Sequence, residues 1–474
     1  MEIKNIETLK KFFKKVKTPI FGGAVFAFER LGPDNFIEDY KLLSLYNSTD
    51  TELIKKNLPV FCLEEVIGKR IRPRNSTSLL SHIKTQEYIS KISGDKKVLI
   101  LIYKSSYKLE RLAKKKNWIL AISQKKFGKS LLENKVKFRE ILEKIKVPVP
   151  PGKIVPLSFF YYKRLIDLER EYGLPFVLQH PTKGGGKGTF FIYNSKDFER
   201  AKQVLRREKP KRVIIAKYIK GASPSITGCV TRFGILSTRP QYQICDEPLL
   251  NKKPSRGGLF CGHDFSFAAN FSKEILFQAK EIVDKVGRYF KKLGYKGIFG
   301  LDFVLEEKSQ KLYVVECNPR LLATFPILTF VQLKNEEPPI IAFHLLEYLN
   351  FPYQINLKKI NEQMWQKKQG SQMFFHSPWQ KEVIFKEDFL AGTYQQKKGK
   401  IEFKKETWDP LEICSKSEYL FIDGLPQKGH ILKRNQRIRI FTLKSVIAKD
   451  FKGVNKETKD FLKKTKNFIK SKIK

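Results

Sequence analysis

Acidic residues are the scarce class in this chain. Its 474 residues include 48 Asp and Glu against 92 Lys and Arg, a formal charge of +44. Such an excess invites a polyanionic partner, because basic surfaces gain most by neutralising phosphates. Only 20 of the basic residues are arginine, however, and the 72 lysines spread over every region among Ile, Phe and Asn. A groove built for nucleic acid concentrates arginine, so a nucleic-acid function is disfavoured. Cysteine is also sparse. The six (Cys62, Cys229, Cys245, Cys261, Cys317, Cys414) form no CxxC pair, which excludes a zinc or disulfide framework and points to a reducing cytoplasm. No run approaches the roughly 18 apolar residues of a membrane span. The first 17 residues carry lysines throughout and lack the apolar core of a signal peptide, so export is not expected. The sequence is silent on oligomeric state.

What is present is α/β and α+β patterning in three parts. Residues 1–130 alternate strand and helix signals: an apolar run at Ile20–Phe28, a buried-strand pattern at Lys97–Tyr103, a helix at Lys108–Asn117 and a strand at Trp118–Ile122. Gly22-Gly23 is not a GxGxxG fingerprint, so no dinucleotide site is assigned there. Residues 131–350 form a second region. In it a helix is expected over Ser130–Lys146, ended by Val147-Pro148-Val149-Pro150-Pro151-Gly152, then a helix around Phe159–Tyr172 and a strand over Pro175–Gln179. Residues 351–474 carry short β runs and a basic helical tail. In that tail Val454, Phe461, Leu462, Phe468 and Ile469 make an apolar stripe beneath lysines, the pattern of a helix docked on its own protein.

The chemistry concentrates in two stretches. Lys183-Gly184-Gly185-Gly186-Lys187-Gly188-Thr189 reads as a hairpin tip able to lay backbone N–H groups against an anion, although it is not a Walker A loop. Gly297–Val304 and Leu312–Arg320 read as two strands. Alternation places Asp302 opposite Glu316, with Asn318 and Arg320 on the face of Glu316. Facing carboxylates repel unless a cation lies between them, and an oxygen-lined face suits Mg²⁺ with substrate phosphates.

In order, Lys135 thirteen residues before Pro148, the glycine-rich hairpin, the strand ending Ala216-Lys217-Tyr218-Ile219, and Asp302…Glu316-x-Asn318-x-Arg320 resemble the ATP-grasp superfamily over residues 130–350. The flanking regions make the layout similar to its biotin carboxylase-like branch. The resemblance implies an ATP-grasp fold between an N-terminal α/β (pre-ATP-grasp) domain and a C-terminal mostly β domain. It implies ATP held by Lys135, Gln179, Lys183 and Gly184, Gly185, Gly186, Lys187 and Gly188, with Ala216, Lys217 and Ile219 around adenine. Asp302, Glu316 and Asn318 would bind two Mg²⁺, and Arg320 would stabilise charge on the transferring group. The implied activity is carboxylate–amine ligation of small-molecule or peptide substrates through an acyl phosphate.

Departures narrow this. Gln179 stands where the family has a lysine or arginine, which leaves open a degenerate protein that binds nucleotide without ligation. Ile244 aligns with the bicarbonate-binding lysine of biotin carboxylases and Thr324 with their catalytic glutamate, which argues against biotin carboxylation. Arg256 and His263, in or after a Gly-rich loop, are candidate acceptor-site residues. Arg70, Arg72 and Arg74 are either anion ligands or solvated.

Overall fold

The structure, a computed structural model, describes residues 2–473 apart from 185, 187, 252–257, 378, 380–381, 433–435 and 451–452. Residues 20–121 build a parallel sheet. Its strands are β1 (Ile20–Ala24), β2 (Lys41–Ser44), β3 (Val60–Cys62), β4 (Val98–Leu101) and β5 (Trp118–Ala121), in the order β3-β2-β1-β4-β5. The chain winds one way from β1 to β3 and then returns to the other side of β1. Such a reversal opens a crevice between β1 and β4, at their carboxyl ends.

A small antiparallel sheet follows, from β6 (Gly152–Pro156), β7 (Phe176–Gln179), β8 (Thr189–Ile192) and β9 (Arg212–Lys217), in the order β6-β9-β7-β8. It has its own apolar core, with Phe160, Leu168, Phe176, Phe198 and Ile215 among its members. The expected helix at Phe159–Tyr172 is two helices, Leu157–Tyr162 and Leu165–Tyr172, the second begun by Asp167 accepting from the Arg164 N–H at 3.1 Å.

The remaining strands are β10 (Gly221–Ala222), β11 (Pro224–Val230), β12 (Ile235–Ser237), β13 (Gln241–Cys245), β14 (Phe260–Asp264), β15 (Gly297–Glu306), β16 (Leu312–Asn318), β17 (Ser371–His376), β18 (Val383–Ile384), β19 (Gly392–Lys397), β20 (Lys400–Glu406), β21 (Glu418–Ile422), β22 (Ile431–Leu432) and β23 (Arg437–Thr442). Among the described residues β18 pairs only with β22. All the others join one sheet in the order β10-β15-β11-β13-β14-β17-β23-β21-β19-β20, with β12 on β11 and β16 on β15. The C-terminal strands therefore extend the central sheet through the β14–β17 ladder, whose register pairs His263 with Gln372. Linear sequence does not report such non-local pairings.

Two buried polar tethers fix the parallel sheet to this large one. His344 Nδ1 accepts from the Ile298 N–H at 3.0 Å, and its Nε2 lies 2.9 Å from the Ala121 carbonyl. Asp50 accepts from the N–H groups of Gly424 and Leu425, the latter at 2.8 Å, next to β21. Both are fully buried, so each tether is shielded from competing water. The C-terminal helix Lys456–Ser471 buries Phe461, Leu462 and Ile469, with the Phe461 ring stacked on Tyr419. It docks on its own protein, as its stripe requires.

Candidate functional site

Two cavities meet at the β15/β16 hairpin. One, of about 500 Å³, lies between the small sheet and β15/β16. Its apolar walls include Val177, Phe191, Ile214, Ala216, Val304 and Val314, a slot suited to a flat aromatic ring. Lys135, Gln179, Lys183, Gly184, Gly186, Lys217 and Ile219 line it too. The Lys217 N–H is engaged by the Pro151 carbonyl at 2.8 Å and so is not available to a ligand.

The helix carrying Lys135 starts later than expected. It spans Lys135–Lys144, with Asn134 accepting from the Lys137 N–H, after a π-type turn at Gly128–Leu132. This places Lys135 at the first helical position. Its buried ammonium pairs with Glu316 at 3.0 Å and donates to the Lys183 carbonyl at 3.1 Å, linking the glycine-rich hairpin to the acidic strand. The hairpin is closed by the His180 N–H donating to the Gly188 carbonyl at 2.7 Å. Any Cβ at Gly188 would lie 2.6 Å from the Lys183 Cβ, so only glycine fits. Gly185 and Lys187 fall outside the described residues. Lys183 itself pairs with Glu208 at 2.6 Å, which reduces its capacity to replace the charge missing at Gln179.

Asp302 and Glu316 face each other across β15 and β16, as alternation predicts. Asp302 accepts from Asn318 Nδ2 at 2.9 Å and from Gln243 Nε2 at 2.7 Å. Burial, followed by the charge of Glu316, pushes its carboxyl up to about 7 against the opposing effects of Arg320, Gln243 and Asn318. Arg320 donates to Asn318 Oδ1 at 2.6 Å and lies 3.4 Å from Glu133, which also holds Lys104 at 2.7 Å. Its guanidinium sits 4.8 Å from the centre of the Tyr103 ring.

This donor set fits a hard divalent cation. It offers two facing carboxylates and an adjacent amide, all oxygen donors, and a cation between the acids would relieve the repulsion felt at Asp302. No group of three or more His, Cys, Asp or Glu placed to hold a metal ion by themselves occurs among the described residues. The remaining ligands would come from substrate oxygens and water, the usual Mg²⁺ arrangement.

Gln243, Glu133, Lys104 and Tyr103 were not anticipated from sequence. The Gln243 signal was nevertheless available: in Gln241-Tyr242-Gln243-Ile244-Cys245 the polar residues alternate with apolar ones. Ile244, expected at the bicarbonate-lysine position, is instead buried in the core, and its neighbour Gln243 faces the acids. Either residue is uncharged. Thr324 is fully buried and its hydroxyl has no partner among the described residues.

The second cavity, of about 790 Å³, continues past Asp302 and Glu316 to the crevice between β1 and β4, reaching Ala24, Val25 and Tyr103. His263 lines it, but its Nδ1 is held at 2.9 Å by Gln372, and burial, then Arg439, holds the imidazole down to about 3. It is neutral at physiological pH. Arg256 lies outside the described residues. Arg70 is paired with Glu64 at 2.6 Å, whereas Arg74 lines the cavity.

A family model described as an ATP-grasp domain matches residues 132–324. Those residues form an ATP-grasp domain. A carbamoyl phosphate synthase arginine-specific large chain from Geobacillus stearothermophilus is 24% identical over 200 residues, covering 42% of this chain and 17% of that one. The chain thus corresponds to less than a fifth of that relative's length. Among solved structures, a biotin carboxylase–β,γ-ATP complex from Campylobacter jejuni aligns with TM-score 0.58 and 16% identity, over 90% of this chain and 88% of that one. An ADP complex of N5-carboxyaminoimidazole ribonucleotide synthetase aligns with TM-score 0.53 and 15% identity, over 96% and 99%. At such identities the likeness extends to the fold alone, an ATP-grasp fold flanked by an α/β region and a β-rich region. No described helix is long and apolar enough to cross a membrane.

Proposed function

We propose that this chain is an ATP-dependent carboxylate–amine ligase. The observation that carries the reading is the position of Asp302 and Glu316, at the junction of a slot suited to adenine and a basic cavity suited to an acid. Adenine would lie against Val177, Phe191, Ile214 and Val314, and the phosphates would run past Lys135, Gly184 and Gly186 toward Asp302, Glu316 and Asn318. Mg²⁺ held there, two ions in the fullest form, would neutralise phosphate charge.

In the proposed reaction a substrate carboxylate oxygen attacks the γ-phosphorus, and the bond to the β,γ-bridging oxygen breaks, releasing ADP. An amine nitrogen then attacks the acyl carbon of the resulting acyl phosphate. The C–O bond breaks, inorganic phosphate leaves, and the amine's proton passes to phosphate or water. Lys135 and Arg320 stabilise charge on the transferring group, and Glu133 orients Arg320. Phosphoryl transfer needs chiefly positioning and electrostatics, so no nucleophilic side chain is required.

A second reading, nucleotide binding without ligation, is favoured by Gln179 and by the engagement of Lys183 with Glu208. A screen of carboxylic acids and amines for acceptor-dependent ADP release tests both. Turnover abolished by Asp302→Ala and by Glu316→Ala supports the ligase; MgATP binding with no turnover for any pair supports the second reading. The unpaired cysteines fit a cytoplasmic setting.

A further inference from the structure

The second cavity contains a buried cation that the ligase chemistry does not use. Arg30 is 5% exposed and lines the cavity. Its Nη1 donates to the Glu29 carbonyl at 2.5 Å, while Nε has no partner among the described residues. No carboxylate oxygen of the described residues lies within 4 Å of it; Glu29 and Asp423 act on it only through longer-range charge. An isolated buried guanidinium is costly, and burial lowers its proton affinity. The fold nevertheless builds a seat for it. Tyr40 donates to the Arg30 carbonyl at 2.8 Å, and a Cβ at Gly22 would come within 2.7 Å of the Arg30 Cβ and 2.1 Å of the Tyr40 hydroxyl. Gly22, without role as part of a dinucleotide motif, makes room for this arginine.

Two further arginines face the same cavity without an ion pair among the described residues. Arg74 lies 4.9 Å from the Phe26 ring centre and Arg437 lies 4.1 Å from that of Phe374. His376, paired with Arg437 across β17 and β23, also lines it and has a buried Nε2 with no partner among the described residues. Arg439, by contrast, is consumed by Asp423 at 3.0 Å and Gln372 at 2.7 Å. The unpaired groups come from both the parallel sheet and the large sheet, at the crevice where β1 and β4 diverge.

We infer that this cavity selects a substrate bearing a second anionic group, a carboxylate or phosphate, seated on Arg30 with Arg74, Arg437 and His376, beyond the carboxylate activated near Arg320. The inference deepens, and rests on, the ligase reading for its account of the first carboxylate; anion binding itself needs no nucleotide. A phosphate or carboxylate at Arg30 would meet a planar donor edge and supply the missing counter-charge.

The test is calorimetric titration of the full chain without nucleotide, using glutarate, inorganic phosphate and the monoanion butyrate as probes. Glutarate or phosphate should bind at least about tenfold more tightly than butyrate, one charge-assisted hydrogen bond being enough for that ratio. Arg30→Gln and Arg437→Gln should each remove that preference, while Lys84→Gln, on an exposed helix outside both cavities, keeps it. Comparison of glutarate with phosphate identifies which anion the seat accepts. If Arg30→Gln does not fold, Arg437→Gln and the charge-retaining Arg30→Lys decide. Absence of binding by both dianions, equal affinity for butyrate, or a preference that survives the glutamine variants overturns the inference. Absence of ADP release with intact dianion binding counts against the ligase reading alone.

Discussion

Replacing Lys135 by methionine isolates one cation without disturbing the chain's packing. The side chain is 4% exposed, and its ammonium joins Glu316 and the Lys183 carbonyl. Methionine fills similar volume and removes both contacts. Losing one charge-assisted hydrogen bond to a phosphate costs about 1.5–3 kcal/mol, which is about a tenfold to hundredfold loss in MgATP affinity or in kcat/KM. Glu316 is 31% exposed at its side chain, so water solvates the carboxylate once its partner is gone, and the cost to folding falls below the roughly 3–5 kcal/mol of breaking a fully buried pair. Nucleotide binding by calorimetry and urea unfolding, run on the same preparations, separate the two quantities. Unchanged nucleotide affinity in a folded variant would refute the assignment of Lys135 to phosphate. A loss of stability larger than the loss of affinity would make it a structural pair instead.

Asp50 gives a pH-dependent outcome. Burial pushes its carboxyl up to about 6, against hydrogen bonds from Leu425 and Gly424, so the native state holds the proton more tightly than the unfolded chain. Its contribution is complete below about pH 4 and lost as pH rises to about 6, at most about 3 kcal/mol. Asp50→Asn keeps an oxygen acceptor and should gain stability relative to wild type between pH 4.5 and 7 in urea titrations; a constant difference would count against it. His344→Leu leaves the Ile298 N–H and Ala121 carbonyl buried without partners, and should cost about 2–4 kcal/mol by chemical denaturation. Gly188→Ala forces the hairpin away from Lys183; it should weaken MgATP binding with little change in melting temperature, and equal affinity would show that the hairpin does not touch phosphate.

The facing of Asp302 and Glu316 was legible because strand alternation is a local property of the chain. Helix starts were less so. The true beginning at Lys135 depends on the Asn134 cap, and the turn before it carries no glycine or proline at the junction itself. The break at Lys163 and Arg164 has no sequence punctuation either. Ile244 was placed at the site by resemblance, whereas alternation alone points to Gln243. Arg30 lies more than 400 residues from Arg437 in the sequence, so their meeting depends on pairings that no local pattern encodes.

The joining of β14 to β17 has a practical consequence for dissecting this protein. Cutting the chain near residue 350 would strip β17 from β14 and leave an unpaired row of amide and carbonyl groups along Phe260–Asp264, beside the apolar side chains that β17, β23 and β21 now cover. A bare edge of that kind templates pairing with other chains. The isolated central region should therefore self-associate, and its nucleotide chemistry is best studied in the intact polypeptide.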